Sequence, residues 1–439
     1  MPLPPKPTSP AAPLSPPSRN DDQQRTTIIV KAKAPSKAIE KFFAPCPRGL
    51  EGVLADELTA LGAQKIEPTD GGVGFSGPYE LGQRACYWSR VASRVLWQQA
   101  DAEYRSEDDI YRLARGVDWP HLFASHLTIR VETNAIRSPL RSLDFVSLKV
   151  KDAIVDKFRA AMNSRPSVDT SMPDMRIFVF LTEYRATIYL DLAGEALFKR
   201  GYRRDGLAAP LRENLAAGML LLKGWRGEKP LLDAMCGSGT ILTEAALIAV
   251  NRAPGSQRTF AFEKLRFFDA SRFKEIREVF PVASGALREK LLFGNDINPA
   301  AIETTRRHLE NVLGIEGARA VTLTQKRAED IPRPAENGLL LTNPPYGERL
   351  DELAQLRTWY PSLGAWLKRE LSGWTACFIT ADREFPSGVG FKPSKKTPLF
   401  NGALDCRLFE FQMYSGSKRE PKPLPNGGIP LEHQRPHRE

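Results

Sequence analysis

From Pro230 onward this chain repeats one unit, a short apolar strand, a turn and then a helix. Pro230 to Asp233 reads as a strand ending in a glycine turn, and Thr240 to Val250 as the helix that follows. A strand at Leu291 to Asp296 leads into a helix from Pro299 to Leu313, where proline suits the first helical turn. Ala320 to Leu323 and Gly338 to Thr342 read as further strands, Leu363 to Leu371 as a helix and Trp374 to Thr380 as a strand. Ala403 to Met413 is the last, extended strand. Such alternation predicts a doubly wound, mostly parallel α/β sheet, with ligands outside the carboxyl ends of its strands.

Three strand ends carry polar groups. The first runs into Asp233-Ala234-Met235-Cys236-Gly237-Ser238-Gly239-Thr240, where two glycines let the backbone bend and approach a ligand closely. No Gly-Lys-Ser/Thr follows, which excludes an NTPase phosphate loop, and Leu242 stands where a third glycine of the dinucleotide fingerprint belongs. Asp233 can accept hydrogen bonds from an ammonium or from loop amides. The second strand ends in Gly294-Asn295-Asp296-Ile297-Asn298-Pro299, where Asp296 suits two ribose hydroxyls or a helix N-cap. A basic, aromatic insertion from about 251 to 290 separates these two tips. The third, Gly338 to Thr342, stops at Asn343-Pro344-Pro345-Tyr346. Two prolines end the ladder and stiffen the turn. An amide, rigid backbone and an aromatic face together suit gripping a planar base by its amino group.

Upstream, helical and alternating segments mix in an α+β arrangement. Gly49 to Leu61, Tyr87 to Leu96 and Lys149 to Arg159 are helix candidates, the last with Val150, Ile154, Val155 and Phe158 on one face. Thr128 to Thr133, Arg176 to Leu181 and Ala186 to Leu192 alternate as strands. The glycine-punctuated, charged stretch from Lys199 to Gly206 reads as the connection between halves. The expected division is a Pro-rich disordered tail (1–38), two α+β modules (39–98 and 99–198), the strand–helix half (199–414) and a disordered basic tail (415–439). With Lys and Arg at 62 against 52 Asp and Glu, the net charge of +10 favours a polyanionic partner. No apolar run reaches the ~18 residues of a membrane helix. The five cysteines form no C-x-x-C pair and the histidines no ligand spacing, so neither a disulfide framework nor a metal site is expected. The chain reads as cytoplasmic.

The ordered strings at Asp233, Asn295 and Asn343-Pro344-Pro345-Tyr346-Gly347-Glu348-Arg349-Leu350 resemble class I S-adenosylmethionine-dependent methyltransferases acting on exocyclic nitrogen. More narrowly, the chain is similar to the bacterial ribosomal RNA guanine-N2 methyltransferases of the RlmL type, which carry a THUMP domain. Phe43-Ala44-Pro45-Cys46-Pro47-Arg48-Gly49, Trp88-Ser89-Arg90-Val91-Ala92-Ser93-Arg94 and Arg200-Gly201-Tyr202-Arg203 extend the likeness, which covers about 42 to 414. It implies a Rossmann-like domain behind a ferredoxin-like/THUMP module, acting on 23S ribosomal RNA with S-adenosylmethionine as cofactor. Asp233, Met235, Cys236, Gly237, Ser238, Gly239, Thr240, Asp296, Ile297, Asn298, Ala328, Glu329 and Asn343 would line the cofactor. Asn343, Pro344, Pro345 and Tyr346 would hold the base. Arg90, Arg94, Lys149, Arg200 and Arg203 are the RNA-contact candidates. The family commonly has Asp before Ala after the third strand, for adenine; here Arg327 precedes Ala328, so Glu329, Asp330 or backbone amides would take that contact. Larger relatives fuse a second methyltransferase; this chain's end soon after Tyr414 predicts one activity. A transfer-RNA guanine-N2 methyltransferase and a catalytically silent RNA-binding assembly factor are the alternatives.

Overall fold

The computed structural model describes residues 38–203, 211–280, 287–345 and 350–414. The tails, Tyr346 to Arg349 and part of the connection after Arg203 lie outside the described residues, and so does the disorder expected of the tails.

Two sheets make the frame. The first contains β1 (Glu40–Pro45), β2 (Gln64–Thr69), β3 (Gly72–Gly77), β4 (Leu96–Glu103), β5 (Thr128–Ala135), β6 (Ser167–Val168), β7 (Met175–Leu181) and β8 (Arg185–Asp191). Its order is β2-β3-β1-β4-β8-β7-β5-β6. The ferredoxin-like and RNA-binding parts therefore share one sheet, and the boundary expected at 98/99 falls inside β4. Helices Glu107–Gly116 and Leu143–Met162 cover one face of the β4–β8–β7–β5 half; Ser147 bonds Thr133 at 2.7 Å. Val150, Ile154, Val155 and Phe158 are buried, as their spacing predicts.

The second sheet contains β9 (Leu231–Asp233), β10 (Leu292–Asp296), β11 (Thr322–Gln325), β12 (Leu339–Thr342), β13 (Thr375–Thr380), β14 (Lys395–Asn401) and β15 (Leu404–Gln412). Its order is β11-β10-β9-β12-β13-β15-β14, parallel except for β15, which runs antiparallel to both β13 and β14. The doubly wound expectation holds. The order reverses between β9 and β12, so a crevice opens at their carboxyl ends. In this sheet the strand missed from sequence is β14, as β1 to β4 and β6 were in the first: Lys395, Lys396 and Pro398 disguise it, as suits an edge strand.

A second departure is Tyr87 to Leu96. The helix there is Tyr79–Trp88, and the chain then runs irregularly into β4. Glu57 accounts for this. Its buried carboxylate accepts from the amides of Arg90 (3.0 Å) and Val91 (3.1 Å) and from the Ser89 hydroxyl (2.9 Å). These bonds satisfy a loop that would otherwise need helical partners.

One apolar core runs through both halves, joining Phe42 and Trp97 to Leu215, Leu242 and Phe262. The insertion after Asn251 is the dock. Phe267 packs edge-on to Tyr79 at 5.2 Å and Phe273 to Tyr87 at 5.8 Å, while the Trp88 indole donates to the Ile276 carbonyl at 3.0 Å. The Arg258 guanidinium collects the carbonyls of Ala193, Glu195, Ala196 and Lys199.

Candidate active site

The glycine loop leaves β9 at Asp233 and turns into helix Thr240–Ala249. Gly237 and Gly239 take positive φ (52° and 75°), which an L side chain resists. Gly239 has a second reason to be glycine, since a Cβ there would lie 2.6 Å from Thr305 Cγ2. Around Gly237, no atom of the described residues lies within 4 Å of where a Cβ would point. The loop therefore has a packed side and a vacant side, the shape a closely approaching ligand needs.

Side chains of helix Pro299–Arg319 hold the packed side. Thr305 donates to the Gly237 carbonyl at 2.9 Å, and His308 Nδ1 lies 2.8 Å from the Ser238 carbonyl. Neither residue stood out in the sequence, because only the folded helix brings them to the loop. Asp296 completes the cradle by accepting from the Gly237 amide at 2.8 Å and the Asn298 amide at 2.9 Å. The N-cap of that helix is Asn298, which accepts from the Ala300 amide at 2.9 Å. Asp296 is thus free of the cap role and remains partly exposed at the strand tip, with lone pairs left for hydroxyl donors.

Asp233 faces inward, only 1% exposed, and accepts from the Thr342 hydroxyl at 2.7 Å. That bond ties the tip of β9 to the tip of β12, one residue before Asn343. Burial pushes the Asp233 carboxyl up to about 7, partly offset by the Thr342 bond. Asn343 is half-buried, Pro344 buried and Pro345 exposed, so the motif crosses from core to crevice in three residues. Asp233, Gly237, Asp296 and Asn343 thus meet at one end of the sheet. Tyr346, expected to stack on a base, lies outside the described residues.

On β10, Asn295 Nδ2 bonds the carbonyls of Ala234 and Lys326, each at 3.0 Å, linking the loops after β9 and β11. Ala328 is buried and Glu329 accepts from the Trp359 indole at 3.0 Å and from Arg327 at 2.7 Å. The Glu329 carboxylate is thus already held by two donors.

The expected RNA contacts divide. Arg200 is 3% exposed and pairs with Glu244 at 3.3 Å inside the protein. Arg90 is 8% exposed, donates to the carbonyls of Leu247 and Arg252, and burial lowers its pKa to about 10. Both guanidiniums are buried and bonded where the halves meet, not presented at the surface where an RNA contact was expected. Arg203 pairs with Glu213 at 3.0 Å and donates to the Thr240 hydroxyl, so it braces the glycine loop's helix. Lys149 pairs with Asp108 at 2.8 Å beside Asp152. Arg94, like Lys149, stays partly exposed, bonded to Asp191 at 2.5 Å.

With this geometry in view, residues 200–410 match the RMKL-like methyltransferase domain, 104–191 the THUMP domain and 41–96 the RlmL ferredoxin-like domain. A possible methylase from Clostridium difficile 630 has a structure matching 88% of this chain and all of its own, at TM-score 0.75 and 31% identity. The chain belongs to the RlmL-type family of THUMP-bearing methyltransferases. A second solved family structure, SMU.472 in complex with SAH, matches 88% of this chain and all of its own at TM-score 0.74 and 28% identity. Among curated RlmL-type proteins, the ribosomal RNA large subunit methyltransferase K/L of Syntrophotalea carbinolica is 39% identical across 89% of this chain and 56% of its own length. The chain spans about half the length of the curated relatives it matches.

Proposed function

We propose that this protein transfers a methyl group from S-adenosylmethionine to the exocyclic N2 amino group of a guanine in 23S ribosomal RNA, in the bacterial cytoplasm. The supporting observation is the convergence of Asp296, the vacant side of Gly237 and Asn343, with Asp233 and Thr342 locking the two strand tips together. When bound, S-adenosylmethionine supplies an electrophilic sulfonium methyl. Asp296 takes the ribose hydroxyls, and the backbone at Gly237 admits the cofactor into contact. Asp233, close to neutrality in the free protein, ionises in answer to a neighbouring cation.

A guanine amino nitrogen is a weak nucleophile, because its lone pair is delocalised into the ring. The Asn343 amide oxygen and the Pro344 carbonyl accept its two N–H bonds and hold it in line with the methyl. Positive charge grows on that nitrogen during transfer, so prearranged acceptors favour the transition state over the ground state. The alkylated nitrogen then loses a proton readily, and no strong base is required. Tyr346 offers a face for the base, which must leave its helix to arrive there.

The test is methyl transfer from labelled cofactor to unmodified ribosomal and transfer RNA, followed by nucleoside analysis. N2-methylguanosine in ribosomal RNA, lost with Asn343→Ala, is expected. Label on adenine, or on transfer RNA alone, would sink the reading.

A further inference from the structure

Burial alternates along β7, and along β8 as far as Leu190. Ile177, Val179, Ile188 and Leu190 are buried on the helix-covered face, while Phe178, Phe180, Thr187 and Tyr189 are half-buried on the other. Thr133 fixes which face is which: it bonds Ser147 of helix Leu143–Met162, so its strand neighbours Glu132 and Asn134 point away from that helix. Glu132 pairs with Phe178 and Asn134 with Phe180 across the β5–β7 ladder; Phe178 pairs with Tyr189 across β7–β8. Three aromatic residues therefore stand on the sheet face opposite the helices.

Guanidinium groups lie among them. Arg94 sits over the Phe178 ring at 5.4 Å, and Arg176 holds Glu132 at 3.0 Å beside it. Arg130 also pairs with Glu132, at 2.9 Å. Arg94, Arg130 and Arg176 share two carboxylates, Glu132 and Asp191, and leave this end of the face positive. The opposite, helical face differs. Its hollow of about 340 Å³ is lined by Asp108, Asp152 and Asp156, whose carboxylates pair with Lys149, Lys151 and Arg159.

We propose that the β7–β8 face is a stacking platform for a single-stranded segment of the RNA substrate. This rests on the RNA reading above and adds where and in what form the RNA is held. Phe178 and Phe180 are two residues apart, roughly 6.7 Å along an extended strand. That spacing suits bases drawn apart, not the ~3.4 Å stack of a duplex strand. Rings and guanidinium planes both accept bases without reading sequence. Stacking, not phosphate neutralisation, then supplies most of the affinity at this face.

Full-length protein is titrated into a short labelled single-stranded RNA by fluorescence anisotropy at several salt concentrations, with blunt duplex RNA as competitor. Phe178→Leu and Tyr189→Leu keep apolar bulk but lose the ring; each is expected to weaken binding about tenfold. The slope of log Kd against log salt stays unchanged, because no cation is removed. Asn134→Glu, at an exposed position opposite Phe180, tests the same face without touching the core and also weakens binding. Calorimetry with S-adenosylmethionine should give the same affinity for every variant. Wild-type affinity in the ring variants and in Asn134→Glu overturns the platform while the RNA reading stands. A wild-type protein that binds cofactor but no RNA overturns both.

Discussion

In the seven-stranded sheet, β9 and β12 are buried on both faces and become polar only where they stop. In the eight-stranded sheet, β7 and β8 bury one row of side chains and leave the next row half-open. A strand sandwiched between helices has no face to offer, so its chemistry gathers at the tips. A strand covered on one side can offer a surface. The same protein thus presents a point, at Asp233, Asp296 and Asn343, and an area, around Phe178 and Tyr189. Between them lie buried charges that serve neither and hold the two together.

That division of labour can be broken by experiment. The largest expected effect is structural. Arg200→Ala leaves Glu244 buried without its partner, which should cost about 3–5 kcal/mol and lower the melting temperature sharply. An unchanged melting temperature would remove Arg200 from the group that joins the halves. Asn343→Ala should reduce the methyl-transfer rate by about 10²–10³, the usual cost of one oriented polar group at a reacting atom. Its melting temperature should hold; a fall in cofactor affinity with the transfer rate unchanged would move Asn343 from base to cofactor alone. Asp296→Ala should weaken cofactor binding by about tenfold or more, as loss of charged hydrogen bonds implies, read by calorimetry.

The last test is a pH dependence. An unfolded Asp233 loses its proton near the ordinary carboxylate range, whereas the folded one keeps it to about 7. Between those values the folded state binds the extra proton, so this group makes stability fall as pH rises from about 4 to 7. The melting temperature of Asp233→Asn should therefore decline less over that window than wild type. Parallel curves would show that Asp233 is ionised in the free protein.

The parallel half was largely legible from sequence because its signals are local. Apolar runs end at glycine, Asp296 or Asn343, so each strand tip is marked within its own few residues. Thr305 and His308 were not legible: they sit mid-helix and gain meaning only when that helix lands on the glycine loop. Arg90 and Arg200 misled for a related reason. A surface arginine and a buried one look alike in a sequence, and only their distant partners, Leu247 and Glu244, tell them apart. Tyr87 to Leu96 has helical spacing, yet the carboxylate of Glu57, some thirty residues earlier, satisfies the loop instead.

The aromatic dock also bears on how the chain is made. Tyr79, Tyr87, Trp88 and Trp97 leave the ribosome well before Phe267, Phe273 and Ile276, against which they pack. At typical synthesis rates of about 5–20 residues per second, that interval lasts roughly 10–40 s. Throughout it the nascent N-terminal half carries an uncovered cluster of large rings. A chain truncated between the two would stay adhesive, and a chaperone has its opening there.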